Sequence, residues 1–259
     1  MIQFFICGVQ KGGTTALSRF LGQHPDIAMP ACKELHFFDD ESIDWATPDY
    51  GRLDSPFQGL SPLRQRGDAT PIYCYWPQAM ERLRAYNPNA KLIILLRHPV
   101  LRAWSHWRME VTRGCDSMPF SEAIRASGRE RVRVARGGVH RVFSYVERGF
   151  YAPQIERILG LFPRQQLLVM RTDTLWSEFD ASMKHIQAFL EVPCIQSLER
   201  QYVVPLPSGP PTPLANEDAE YLNSLYAEDI LQTQRLTGLD LGDWLKAPEL
   251  FQEPMGPHR

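Results

Sequence analysis

The first twenty-one residues constrain the fold more than any other part of the chain. Residues 2–7 form a short and dense apolar run, which is typical of a strand buried on both faces of a parallel sheet. The run ends at Gly8, and after Gly12 and Gly13 the apolar residues return at helical spacing. A strand, a glycine loop and a helix in this order aim backbone N–H groups and a helix dipole at an anion. The sequence therefore predicts an anion site at this loop.

The loop is close to the phosphate-loop pattern G-x-x-x-x-G-K-[ST] but differs from it at the lysine. Gly8 and Gly13 have the required separation, and Thr15 occupies the hydroxyl position. Thr14 stands where the lysine belongs, and the only lysine of the loop is Lys11, three residues earlier. We therefore expect this cation to approach the bound group from another side. The alternative is a tight turn that binds nothing.

A second apolar strand, predicted over 91–96, runs directly into Arg97. A strand of the Walker B type would end in an aspartate that organises Mg²⁺. This strand ends in a guanidinium suited to bidentate phosphate binding, and Ser105 follows on the next predicted helix. Further strands at 27–29 and 166–170 alternate with helices at 77–86, 148–162 and 178–190. This alternation predicts an α/β fold with a central parallel sheet flanked by helices.

Three segments together carry a family resemblance. GVQKGGTTAL at 8–17 and LLRHPVLRAWSHW at 95–107 resemble the sulfotransferases that use 3′-phosphoadenosine 5′-phosphosulfate (PAPS). KELHFFD at 33–39 is similar to the branch that sulfates heparan-type sugars and to its bacterial relatives. The resemblance runs from residue 2 to about 190 and implies one P-loop-containing three-layer domain over 1–259.

The resemblance also implies an activity. This is transfer of a sulfuryl group, without a metal, from PAPS to a hydroxyl or amine of a saccharide or small-molecule acceptor, leaving adenosine 3′,5′-bisphosphate. Two other classes stay open: a P-loop kinase or nucleotide hydrolase that uses ATP and Mg²⁺, and a nucleotide-binding module without catalysis.

Each candidate residue receives a role from this resemblance. Lys11 is expected to stabilise the leaving phosphate oxygen, and Arg97 with Ser105 to hold the 3′-phosphate. If 33–39 is extended, Glu34 and His36 share one face, and Glu34 matches the family's general base; the alternative is a surface strand with solvated charges. His36 is the second candidate base, or it orients developing charge. The amides predicted to cradle the phosphosulfate are those of Gly12, Gly13, Thr14, Thr15 and Ala16, and the predicted acceptor contacts are Glu34, His36, Asp39, Thr70, Tyr73 and Trp76.

Two inserted segments, 40–65 and 113–141, are predicted to cover the site. The stretch from 125 to 141 contains six arginines, which form either a solvated face or a lid that attracts the anionic cofactor or an acidic acceptor. Gly137 and Gly138 would let such a lid hinge. The proline-rich segment 203–213 has no Lys or Arg. We therefore expect the 3′-phosphate to be bound by Arg97, Ser105 and the arginine-rich stretch instead. A helical tail is predicted from about 216 to 244.

The net charge, the cysteines and the length of the apolar runs limit the kinds of partner and compartment that we expect for this chain. A formal net charge of −2 at pH 7 argues against broad nucleic-acid binding, so an anion site must be local. Five cysteines without a C-x-x-C pair are typical of reduced thiols. No run approaches the roughly 18 apolar residues of a membrane span, and the N-terminus has no signal-peptide pattern. We expect a cytoplasmic protein that binds neither membrane nor nucleic acid.

Overall fold

The computed structural model describes residues 1–195 and 213–248 and is built on a five-stranded parallel sheet. The strands are β1 (Phe4–Gly8), β2 (Ile27–Ala28), β3 (Gln65–Asp68), β4 (Lys91–Leu96) and β5 (Leu167–Arg171). Their spatial order is β2-β3-β1-β4-β5, and every pairing is parallel. The chain leaves β1 toward one edge of the sheet and leaves β4 toward the other. Ligands of open α/β sheets bind at such a point, beyond the carboxyl ends of the two strands.

Helices cover both faces of the sheet, which confirms the predicted three-layer α/β fold. They are α1 (Thr14–Gly22), α2 (Ala79–Tyr86), α3 (Pro99–Thr112), α4 (Phe120–Ala123), α5 (Ala126–Arg133), α6 (Ala152–Leu161), α7 (Thr172–Ser177), α8 (Phe179–Leu190) and α9 (Asn216–Thr237). Helices α1 and α8 contribute to one hydrophobic core, and α2, α3, α6 and α9 contribute to the other.

Strand β1 supplies both cores because its side chains alternate between the two faces. Phe5 and Cys7 belong to the core under α2 and α3, whereas Phe4 and Ile6 belong to the core under α1 and α8. All five residues of β1 are buried. A strand in this position has no face that could carry a polar side chain, which is why its sequence is an unbroken apolar run.

The structure corrects several predicted boundaries. Strand β3 was not predicted, because its sequence QRGD has no apolar alternation. The helix predicted to begin at 148 begins at Ala152, after a 3₁₀ turn at Glu147–Gly149. The helical tail predicted to reach 244 ends at Thr237, because Gly238 adopts a left-handed φ of 75°. Of the predicted proline-rich segment, residues 203–212 lie outside the described residues.

The inserted segment 40–65 is anchored to the domain. It forms two 3₁₀ turns, Tyr50–Leu53 and Ser55–Phe57, and the side chains of Leu53 and Phe57 are buried in the core under α2. The segment 113–141 contains α4 and α5, and Phe120 and Ile124 are likewise buried. Both insertions are therefore packed against the domain by apolar side chains.

The glycine loop lies directly against β4. The Val9 N–H donates to the Leu95 carbonyl oxygen at 3.1 Å. A Cβ atom on Gly12 would lie 2.5 Å from that same oxygen and 2.9 Å from the Val9 carbonyl oxygen. Only a residue without a side chain allows this close approach of loop and strand.

We expect Gly12→Ala to lower the free energy of unfolding by about 1–3 kcal/mol, because two carbonyl groups must move to admit the methyl group. The matched control is Gly160→Ala in α6, where an added Cβ meets nothing within 4 Å. That change should raise the free energy of unfolding by up to about 1 kcal/mol through helix propensity. Urea denaturation of both variants measures the difference, and a Gly12→Ala protein as stable as Gly160→Ala would contradict the tight packing of the loop.

Candidate active site

Three amides at the start of α1 are available to an anion. Gly13, with a φ of 88°, precedes the helix, and no side chain caps its N-terminus. Within the described residues, the N–H groups of Gly13, Thr14 and Thr15 donate to no protein acceptor. The other two predicted cradle amides are already used, because Gly12 N–H donates to Val9 O at 2.9 Å and Ala16 N–H to Gly13 O at 3.1 Å. The predicted cradle of five amides is therefore reduced to three, together with the positive end of the helix dipole.

Lys11 and Arg97 meet at the carboxyl ends of β1 and β4. The Arg97 guanidinium donates to the Lys11 carbonyl oxygen at 3.2 Å, and the Lys11 ammonium donates to the Met109 sulfur at 3.7 Å. Burial, followed by the positive charges of Arg97 and Arg113, lowers the pKa of Lys11 to about 8. Cations brought together in a partly buried place repel one another, and a bound anion would relieve this repulsion. The local charge therefore favours a negatively charged ligand.

Ser105 is partly exposed, and it lies two turns into the helix that Arg97 precedes. Arg102, on the same helix, is completely buried and donates to the Tyr145 carbonyl oxygen. Its role is therefore internal, because it ties α3 to the turn before α6.

Glu34 and His36 meet through a turn and not through a strand. Their φ angles are 65° and 51°, in the left-handed region, so the predicted extended conformation is wrong. The side chains nevertheless converge: His36 Nε2 lies 3.4 Å from a Glu34 carboxylate oxygen, and His36 Nδ1 lies 2.9 Å from Asp39 Oδ2. The Lys33 ammonium contacts the other Glu34 oxygen. The segment thus forms a compact Lys33–Glu34–His36–Asp39 array.

Charge pairing determines the protonation states in this array. Hydrogen bonds to Asp39 and then Glu34 outweigh burial and raise the pKa of His36 to about 9. Burial alone would raise the pKa of Glu34, but the hydrogen bond to His36 and the charge of Lys33 lower it to about 2. At neutral pH the imidazole is therefore protonated and the Glu34 carboxyl is ionised.

The array rests on buried side chains at the end of β3. The Asp68 carboxylate is completely buried and accepts hydrogen bonds from the Thr70 hydroxyl at 3.0 Å and from the backbone of Leu35. The Tyr73 hydroxyl accepts the Phe37 N–H at 3.1 Å. Asp39, Thr70 and Tyr73 have no exposed surface, which argues against their predicted contact with the acceptor. Sequence reasoning assigned no individual role to Asp68, because the strand that ends there was not recognised.

Trp76 and Arg141 form one side of the array. The Arg141 guanidinium lies over the Trp76 ring, 4.5 Å from its centroid, and also donates to the buried Asp39 carboxylate. Trp76 is partly exposed, and its indole N–H donates to Glu41 at 2.8 Å. These partners place Trp76 beside the Asp39–His36 pair.

Most arginines of the 125–141 stretch are paired with carboxylates. The pairs are Arg125–Asp218, Arg129–Glu147, Arg131–Asp116, Arg133–Glu130 and Arg141–Asp39. Several of these partners are distant in sequence, so charge counting could not find them. The pairing weakens the interpretation of this stretch as an unpaired cationic lid.

One cavity lies between the first turns of α1 and Lys33. Thr15, in the first turn of α1, and Lys33, which contacts Glu34, line the same cavity of about 400 Å³. Ser18 and Arg19 continue its wall along α1. A ligand held at the start of α1 would therefore lie on the same side of the molecule as the Glu34 carboxylate.

Comparison with known proteins shows the family to which this chain belongs. The family model described as a sulfotransferase domain matches residues 2–204. The chain belongs to this sulfotransferase family. A solved sulfotransferase from Alicyclobacillus acidocaldarius superposes with a TM-score of 0.78 at 29% identity, over 95% of this chain and 99% of that one.

Curated relatives extend the comparison. Heparan sulfate glucosamine 3-O-sulfotransferase 6 of Mus musculus is 31% identical over 195 residues, which cover 73% of this chain and 52% of that protein. Heparan sulfate glucosamine 3-O-sulfotransferase 3B1 of Homo sapiens is 31% identical over 73% of this chain and 45% of its own length. The chain thus spans about half the length of the curated relatives it matches. No helix within the two described ranges is long and apolar enough to cross a membrane.

We predict that His36 titrates with a pKa of about 9 and that Asp39→Asn lowers this pKa toward 6.5, because Asp39 is the largest cause of the shift. Histidine NMR measures the midpoint, with His36→Gln to assign the resonance. A pKa raised on folding stabilises the folded state fully below about 6.5, and this stabilisation is lost as the pH rises through about 9. An unshifted midpoint in Asp39→Asn would contradict the pairing.

Proposed function

We propose that the protein transfers a sulfuryl group from PAPS to a hydroxyl or amine of a saccharide or small-molecule acceptor. The observation that carries the proposal is the contact of Arg97 with the Lys11 carbonyl, together with the three amides at the start of α1 that have no protein acceptor within the described residues. The amides suit a phosphosulfate group, and the Arg97 guanidinium suits a separate phosphate group. The curated relatives are named for sulfation of a glucosamine sugar, which supports a saccharide as the first acceptor to test.

The residues fit a phosphosulfate donor. The amides of Gly13, Thr14 and Thr15 would hold its 5′ end, while Arg97 and Ser105 would hold the 3′-phosphate that distinguishes it from ATP. Lys11 would stabilise charge on the leaving phosphate oxygen. PAPS would supply the sulfuryl group, and adenosine 3′,5′-bisphosphate would remain after transfer. The transferred group carries less charge than a γ-phosphoryl group, so an ammonium and backbone donors can serve without a metal.

Glu34 is the proposed general base. The new bond would join the acceptor oxygen or nitrogen to sulfur while the bond between sulfur and the 5′-phosphate oxygen of the donor breaks, and the acceptor proton would pass to the Glu34 carboxylate. The hydrogen bonds that raise the pKa of His36 to about 9 favour its protonated form at neutral pH, which makes it the weaker candidate for accepting this proton. His36 is better suited to orient Glu34 and to stabilise nearby negative charge. The low pKa of Glu34 makes it a weak base until the acceptor displaces one of its present partners.

The two other classes, a kinase or nucleotide hydrolase and a nucleotide-binding module without catalysis, have less support. A kinase or nucleotide hydrolase would need a carboxylate to organise Mg²⁺ beside the loop. The strand next to β1 does end in one, Asp68, but this carboxylate is completely buried and bonded to Thr70 and Leu35. A module without catalysis would not need the charged array around Glu34. We also propose a reducing compartment such as the cytoplasm, supported by the unpaired state of all five cysteines.

Adenosine 3′,5′-bisphosphate should stabilise the protein against heat, and ATP with Mg²⁺ should do so less at equal concentration, because only the former presents a 3′-phosphate to Arg97. A ligand at 100 times its dissociation constant adds about 2.7 kcal/mol to the stability. Arg97→Ala should remove most of this response, whereas Glu34→Gln should keep it. A larger stabilisation by ATP with Mg²⁺ would favour the kinase class. Transfer of labelled sulfate to an acceptor then separates an enzyme from a silent module.

Glu34→Gln should lower kcat by roughly 10²–10⁴-fold, the usual contribution of a general base. Binding of adenosine 3′,5′-bisphosphate should be unchanged, because the glycine loop is intact. Rates with a heparan-type oligosaccharide acceptor and calorimetric titration make the two measurements. His36→Ala is the comparison variant: if it abolishes turnover while Glu34→Gln barely slows it, the two roles are reversed.

A further inference from the structure

Arg148 joins the glycine loop to a turn on the acceptor side. It is 3% exposed, and its guanidinium donates to the side-chain oxygen of Gln10, which directly precedes Lys11. The same guanidinium donates to the carbonyl oxygens of His140 at 3.3 Å and Arg141 at 2.8 Å. One buried side chain therefore contacts both segments at once.

The turn at 140–145 is held together by several internal hydrogen bonds. His140 N–H donates to the Ser144 hydroxyl oxygen at 3.0 Å, and that hydroxyl donates back to the His140 carbonyl at 2.7 Å. The N–H groups of Val142 and Phe143 both lie 3.1 Å from His140 Nδ1, and the imidazole stacks on the Phe143 ring at 4.3 Å. The Tyr75 hydroxyl also donates to the Ser144 hydroxyl oxygen at 2.9 Å, so the turn is fixed both internally and against the domain.

The Arg141 side chain connects the turn to the Lys33–Glu34–His36–Asp39 array. Arg141 donates to the Asp39 carboxylate, and Asp39 Oδ2 lies 2.9 Å from His36 Nδ1. His36 in turn lies 3.4 Å from Glu34. An unbroken series of polar contacts thus runs from Gln10 in the glycine loop to the proposed base.

We infer that Arg148 is a positioning residue that couples a nucleotide in the glycine loop to the alignment of the Asp39–His36–Glu34 array. The inference rests on the proposed function, because it requires a nucleotide at this loop. A guanidinium suits the task, since its planar fork has five donors and can serve Gln10 and two carbonyls together. The ammonium of a lysine is a point donor and cannot span these three acceptors.

A purely structural role for Arg148 is the competing explanation, and Arg157 provides the matched control. Its guanidinium also reaches a backbone carbonyl, that of Cys74, and within the described residues its Nε is buried without a partner, as is the Nε of Arg148. Arg157 touches neither the glycine loop nor the turn in the contacts of the described residues. Loss of Arg157 should lower stability without changing the response to a nucleotide.

Hydrogen exchange with and without adenosine 3′,5′-bisphosphate tests the coupling. In the wild type the nucleotide should slow exchange in residues 33–39 and 140–145 by about fivefold or more, the lower end of typical coupling between sites. Gln10→Met keeps the side-chain length but removes the acceptor for Arg148, so binding should persist while the slowing in both segments is lost. Arg148→Lys should behave in the same way, and Arg157→Lys should retain the slowing.

The outcomes separate the two proposals. Nucleotide binding with unchanged slowing in Gln10→Met, or equal loss of slowing in Arg157→Lys, overturns the coupling and leaves the proposed function intact. No binding of adenosine 3′,5′-bisphosphate to the wild type overturns the proposed function and the coupling with it. Because each comparison is between bound and free forms of one variant, a general loss of stability does not produce the expected pattern.

Discussion

The carboxyl ends of β1 and β4 lie side by side, and every proposed function of this protein depends on that adjacency. Both strands are buried on two faces, so their side chains serve the core and only their ends can carry chemistry. Lys11 follows one end and Arg97 follows the other, and the contact between Arg97 and the Lys11 carbonyl holds the two together. The close approach of Gly12 to β4 keeps the loop in this place.

The site separates its charges into two groups. Around the glycine loop, positive side chains lie near one another, and burial depresses the pKa of Lys11. Around Glu34, each charge has a partner, which fixes an imidazolium beside a carboxylate. An anion is thus attracted to the first group, whereas the second group is balanced before any ligand arrives. This division suits a reaction between an anionic donor and an acceptor that gives up a proton.

Much of the fold could be predicted from periodicity. The limits of β4 match the prediction, and those of β1 and α8 differ from it by one or two residues. Dense apolar patterns of this kind specify a buried strand or helix clearly. Strand β3 could not be found in this way. It has four residues, two of them charged, and it is held by pairing with β1 and β2. The Asp68 carboxylate, at the end of β3, accepts hydrogen bonds from the Thr70 hydroxyl and from the backbone of Leu35 in the Glu34 segment.

The sequence by itself determined the α/β class and the proximity of Lys11 to Arg97, because these follow from local patterns and from the rule that parallel strands share a carboxyl edge. Only the tertiary structure decided which arginines are paired, which amides remain available and how Glu34 and His36 meet. Left-handed backbone at Glu34 and His36 is stabilised by contacts from distant residues, so no local propensity could reveal it. Ion pairs such as Arg141–Asp39 join residues about a hundred positions apart, and only the folded chain brings them within reach.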